Sequence, residues 1–217
     1  MKNMRISISF FCIIILLPFF SLGDPTDWVL KKNEKGIAVY TRYAESSRLK
    51  EIRVVTEVKS SLSAIVALLL EIKNYPNWIY ACNEASLLNV INNHEQYQYQ
   101  VTHLPWPLSN RDVVSHLKIE QEEETKIVTV ANTGEPDYIP QKKGSVRVEH
   151  FQSNYKLTPL PGGKVKVEFE LFVDPGGNIP AWLINANIVA APYKTTVAMI
   201  KQLLGYQKAS VPFITEK

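Results

Sequence analysis

Apolar and polar positions alternate most regularly in "KVKVEFELFV", where Val165, Val167, Phe169, Leu171 and Val173 share one face and Lys164, Lys166, Glu168 and Glu170 the other. Such a strand belongs to a sheet that is dry on one side and wet on the other, as antiparallel sheets allow. The same period predicts strands over 37–43 and 50–58, and near 84–91, 94–103, 112–121, 125–132 and 145–159. "SSLSAIVALLLEIKNYPNW" (60–78) changes to helical spacing, with Ser60 or Ser61 as cap and a stop before Pro76. "DPTDWVLKKNEK" (24–35) predicts a short helix, capped by Asp24, with Pro25 in its first turn and Gly36 at its end. After the turn "DPGGN", residues 179–204 predict one long helix that begins near Pro180 and kinks at Pro192. Trp182, Leu183, Ile184, Ala186 and Ile188 cover more than one stripe of it, so its early part is expected to be covered on most sides. The fold class is α+β, with helices packed on one face of an antiparallel sheet.

The first 23 residues carry a different signal. Lys2 and Arg5 precede the 13-residue apolar run "ISFFCIIILLPFF", and Ser21 and Gly23 follow at cleavage spacing. The run is short for a bilayer span of about 20 residues. The reading is a secretory leader (1–23), one domain (24–208) and a tail (209–217). The net charge of +3 falls to +1 when Lys2 and Arg5 leave with the leader, and the remaining charges are dispersed. No nucleic-acid partner is expected. Only Cys82 lies beyond the leader, so no disulfide can form within the domain and its core must stabilise it. An exported chain without disulfides points to the periplasm or cell envelope of a bacterium. Cys82 is expected to be a small buried residue.

Motifs of catalysis are missing. His94, His103, His116 and His150 have no metal-ligand spacing, and no nucleophile elbow or dinucleotide loop occurs. No metal and no cofactor are expected. His103, Arg111, Asp112 and His116 are the one group that strand pairing could bring together. If Arg111 shares the face of Val113, Ser115 and Leu117, it points inward and needs a partner, either a buried carboxylate or a ligand's polar head. In "EQYQYQVTHL" the plain core reading turns Tyr97, Tyr99, Val101 and His103 inward. The alternative turns Gln96, Gln98 and Gln100 inward, toward a ligand's hydroxyl or amide.

"NYPNW" (74–78), "LPWPLSNRDVV" (104–114) and "VDPGGNIPAWLINANIVAAPYKT" (173–195) resemble the START (StAR-related lipid-transfer) family, over about residues 25–208. The resemblance implies a helix-grip fold, a curved antiparallel sheet around the C-terminal helix with a lipid-sized apolar cavity between them. It implies a non-catalytic protein that binds, and can transfer, a lipid or sterol-like ligand. A helix-grip enzyme of the polyketide cyclase or dehydratase type and a ligand-gated interaction module are the alternatives. The implied ligand contacts on the last helix are Trp182, Asn185, Ile188, Val189, Pro192 and Met199. Tyr97, Tyr99, His103, Arg111 and Phe169 are the candidates on the sheet. Asn185 either caps a local network or meets the ligand's polar end. The resemblance also places Trp106 and Leu108 in a loop near the tunnel mouth, stiffened by Pro105 and Pro107 for transient contact with a membrane. The other reading folds Trp106 back as a plug of the core.

Overall fold

Strand pairing dominates the chain. A computed structural model describes residues 27–216, and the expected leader lies outside them. Ten strands form one sheet: β1 (Val29–Glu34), β2 (Ile37–Tyr43), β3 (Lys50–Lys59), β4 (Cys82–Asn92), β5 (Glu95–Thr102), β6 (Asn110–Gln121), β7 (Val128–Gly134), β8 (Ser145–Arg147), β9 (His150–Leu160) and β10 (Lys164–Asp174). The order is β1-β2-β3-β10-β9-β7-β6-β5-β4. Neighbours are antiparallel except β8, which runs parallel to β6 along Asn110–Asp112. The sheet curves around the C-terminal helices in the helix-grip arrangement that the resemblance implies.

The segment expected to be a helix at 24–35 is strand β1. Lys35 and Gly36 both adopt positive φ, 52° and 75°, which closes a two-residue hairpin onto β2. The helical segment at 60–78 divides into α1 (Leu62–Leu70) and a 3-10 turn (Ile72–Asn77) that holds Pro76. Ser61 caps α1 by accepting from Ala64 N at 3.1 Å. Glu216 accepts from the two preceding free amides, Leu62 N at 3.0 Å and Ser63 N at 2.8 Å. Residues 209–216 are therefore strapped to the domain, and Val211 and Ile214 enter its main core with α1, Trp78, Leu117 and Leu157.

The long helix is two helices, α2 (Ala181–Asn187) and α3 (Ala190–Gln202). The kink expected at Pro192 is a break at Ile188–Val189. Pro192 lacks the N–H that would bond the carbonyl of residue 188, four positions back, and its ring crowds that carbonyl. The proline itself is buried in the first turn of α3. The expectation that the early helix is covered on most sides is also corrected: α2 has no buried residue, and Trp182 is 71% exposed. Helix α3 packs Val197 and Ile200 onto Ile37, Val39, Ile52 and Val54.

Candidate functional site

Register across β5, β6, β7, β9, β10, β3 and β2 assigns every side chain to a face, because directly paired residues share one. One inner row runs Val128, Leu157, Val167, Thr56, Ile37, all buried. The next runs Ile119, Val130, Tyr155, Phe169, Val54, Val39. Val130, Val54 and Val39 are sealed at 1%, 2% and 0% exposure, yet Tyr155 and Phe169 between them are only half-buried. These two stacked rings, 4.4 Å apart, lie at the middle of the sheet, so the surface they keep faces the space beneath α2 and α3. Leu171 and Val173 further along β10, and Val197 on α3, are half-buried too. These side chains thus leave accessible, mostly apolar surface on the inner face over β9 and β10, called the hollow below. Burial pushes the Tyr155 phenol far above its ordinary pKa.

The third inner row is polar at one side: Gln96, Leu117, Asn132, Ser153, Leu171, Ile52. Gln98 and Ser115 continue it toward the mouth. Thus the glutamines of β5 face inward, and the expected inward placement of Tyr97, Tyr99 and His103 is reversed. Tyr99 is nonetheless 1% exposed, because the connection between β7 and β8 covers the outer face of β5 and packs Ile139 against Tyr99, Val101 and Val114. Tyr97 is stacked between His116 and Tyr138, at 4.5 and 3.9 Å. His103 is exposed and contacts Asn110 Oδ1 at 3.1 Å. A long-range cover, with no mark in β5 itself, makes both faces of this strand buried.

Arg111 and Asp112 separate as neighbours in a strand must. Asp112, on the outer face, accepts from Arg147 Nη2 at 3.0 Å in a buried ion pair. Arg111, 6% exposed, points inward and finds carbonyls instead of the expected carboxylate or ligand head. It donates to Pro175 O at 2.6 Å, Gly176 O at 3.1 Å and Ser109 O at 2.5 Å. The guanidinium thereby ties the loop that carries Trp106 to the turn that leads into α2. Burial lowers its pKa from the ordinary arginine value. His103, Arg111, Asp112 and His116 do not converge: Arg111 is on the inner face, while Asp112 and His116 are on the outer one, with His116 bonded to Glu95 at 2.8 Å.

Two indoles are exposed, Trp106 on the loop before β6 and Trp182 on α2, the two segments that lead to and from the Arg111 tie. Trp106 is 91% exposed and Leu108 half-buried, so the plug reading fails. Asn185 fixes α2 to the β2–β3 connection: its Oδ1 accepts from Lys50 N, and its Nδ2 donates to Arg48 O, both at 3.0 Å. An open groove of about 600 Å³ beside that latch is lined by Tyr43, Arg48, Lys50 and Trp182. A second groove, of about 680 Å³, lies away from the hollow between His94, Lys118 and Phe213.

Residues 22–203 match the START domain. The chain belongs to the START domain family. A STAR-related lipid transfer protein fragment from Xanthomonas axonopodis superposes on this START domain with a TM-score of 0.76 and 34% identity, over 82% of this chain and 98% of that one. An uncharacterized protein of Pseudomonas aeruginosa is 36% identical, over 78% of this chain and 83% of its own length. The phosphatidylcholine transfer protein of Bos taurus is 27% identical, over 73% of this chain and 75% of its own.

Of the candidates on the last helices of this START domain, Ile188 and Val189, like Phe169 and Leu171 on the sheet, pack against the Ile37, Val39, Ile52 and Val54 cluster. Pro192 and Met199 are buried in the core. Trp182 projects outward, and Asn185 is the latch. The residues that sequence reasoning missed are Tyr155, Asn132 and Ser153. Only their cross-strand register brings them together, and each alone reads as an ordinary strand residue.

Proposed function

We propose that this START domain holds a hydrophobic ligand in the hollow between β9–β10 and α2–α3, without chemistry on it. The observation that carries the reading is the half-open pair Tyr155–Phe169 at the centre of the sheet, between sealed Val130 and Val54 in its own row. Apolar surface there gains about 25 cal/mol per Å² when a ligand covers it. The relatives are consistent with a lipid: one is named a STAR-related lipid transfer protein and another a phosphatidylcholine transfer protein. The outward ring of Trp106 suits the headgroup zone of a bilayer, where it would hold the mouth against the membrane during exchange. The leader-like segment supports export.

Transfer of a pyrene-labelled phospholipid or diacylglycerol between vesicles tests this. The native chain is expected to accelerate exchange of at least one of them, and Trp106→Ala is expected to slow that exchange about tenfold with equilibrium uptake unchanged. No acceleration of either lipid overturns the carrier reading. A Trp106→Ala variant as fast as native overturns the membrane role of the loop.

A further inference from the structure

The inner face separates by polarity along a line that register makes visible. Over β2, β3 and β10 it is mostly apolar: Val39, Val54, Ile52, Phe169 and Leu171. Over β5, β6, β7 and β9 it carries Gln96, Gln98, Ser115, Asn132 and Ser153, spread across two adjacent rows. Gln96 is satisfied, donating to Leu70 O at 3.0 Å. Its neighbours are not. Gln98 is 2% exposed, and its Nε2 has no close hydrogen-bond partner among the described residues; its amide faces the Tyr75 hydroxyl, the one polar group that weakly engages it and that itself donates to Leu69 O. Asn132 Oδ1 is likewise buried without a partner. Trp78 Nε1, behind Tyr75, is a third such atom. Buried polar atoms left this way cost stability, and few native groups are. The two others among the described residues, Trp28 Nε1 and Asp112 Oδ1, belong to the outer face, beside Arg42 and Arg147.

The charges complete the picture. Among the described residues, the inner faces of β5, β6, β7, β9 and β10 carry one charged side chain, Arg111, and it sits at the mouth against three carbonyls. A phosphate taken down to Gln98 and Asn132 would be an anion in an uncharged interior, with no countercharge at that depth.

We propose that the polar band receives the head of an uncharged amphiphile, one that offers a carbonyl to Gln98 and a hydroxyl or N–H to Asn132, with its acyl chains over Phe169 and Leu171. The inference rests on the carrier reading and narrows it to a ligand class. The amide orientations do not alter it: a side-chain amide turned end for end still presents one neutral donor or acceptor to a neutral partner. A diacylglycerol has the required chemistry, two ester carbonyls and one hydroxyl. A phosphatidylcholine with the same chains replaces that hydroxyl by a charged group.

The test compares uptake by the full chain of pyrene-labelled diacylglycerol and of phosphatidylcholine with identical chains, each from the same vesicles. The diacylglycerol is expected to bind about tenfold more tightly. Gln98→Leu and Asn132→Leu are each expected to weaken diacylglycerol uptake about tenfold, with Asn132→Leu, which removes the hydroxyl's partner, weakening phosphatidylcholine uptake far less. The same leucines should leave the thermal midpoint equal or higher, since they remove unpartnered polar atoms, so lost uptake is not lost fold. Phosphatidylcholine bound as well or better, or leucine variants that keep native diacylglycerol affinity, would overturn the head-group assignment and place the head at Arg111. Uptake of neither lipid would overturn the carrier reading instead.

Discussion

Asp112 and Arg111 show how much one strand position decides. They are adjacent, both charged and both buried, and they stabilise different things. Asp112 joins Arg147, whose guanidinium also donates to Ile139 O at 3.1 Å and so holds the outer cover of β5. Removing one partner of a buried pair leaves an uncompensated charge, so Asp112→Ala is expected to lower stability by about 3–5 kcal/mol in urea denaturation. A loss under 1 kcal/mol would contradict the assignment. Titration offers a second check. Burial pushes the Cys82 thiol from 9.0 up to about 11. Burial, then the Asp112 carboxylate, pushes the Tyr99 phenol from 10.0 to about 12, and burial with the Glu71 hydrogen bond does the same for Tyr206. All three are held neutral in the fold, whereas the unfolded chain releases their protons at the lower, ordinary values. Stability is therefore complete below about pH 9 and falls as pH rises toward 11–12. The urea midpoint should drop between pH 8.5 and 10.5, and less so in Cys82→Ser. That Cys82 is buried was legible in the sequence, since no activating base stands near it. The partner of Arg111 was not, because carbonyls of a turn more than sixty residues away leave no pattern.

At the scale of elements, alternation predicted the strands where one face is dry and failed where it is not. Strand β1 has no buried residue, so nothing periodic marks "VLKKNE", and Asp24–Pro25 read as a helix cap instead. Strand β5 failed for the opposite reason: with both faces buried, Gln96 and Tyr99 are equally plausible inside. The last helix was legible as a helix and as interrupted, but the break sits one turn before the proline, at the carbonyl that Pro192 cannot serve. What this leaves is a short α2 with little burial of its own, held by Asn185 at one side and by the turn around Arg111 at the other. Asn185→Ala is expected to raise amide hydrogen exchange throughout Ala181–Asn187 at least tenfold and to speed ligand release, with α3 unchanged. Equal exchange in the two proteins would show that the latch contributes nothing.

At the scale of the molecule, side chains cover the inner face of the sheet unevenly. Its closed end is packed by α1, the 3-10 turn and the C-terminal strap. Over β9 and β10, α2 and α3 are the helices among the described residues that face the sheet, and there Phe169, Tyr155 and Leu171 keep open surface. The family motifs at 104–114 and 173–195 implied the helix-grip plan, which the strand order and the family match bear out. They did not contain the polar band, which arises from five residues on four strands. Native mass spectrometry of the purified full chain beside Leu171→Trp, whose larger ring would occupy the hollow, tests the plan most directly. The account predicts one lipid-sized mass on the native chain, released on denaturation, and none on an equally folded Leu171→Trp. A native chain that carries and takes up no lipid, or a tryptophan variant that carries as much as native, would contradict it.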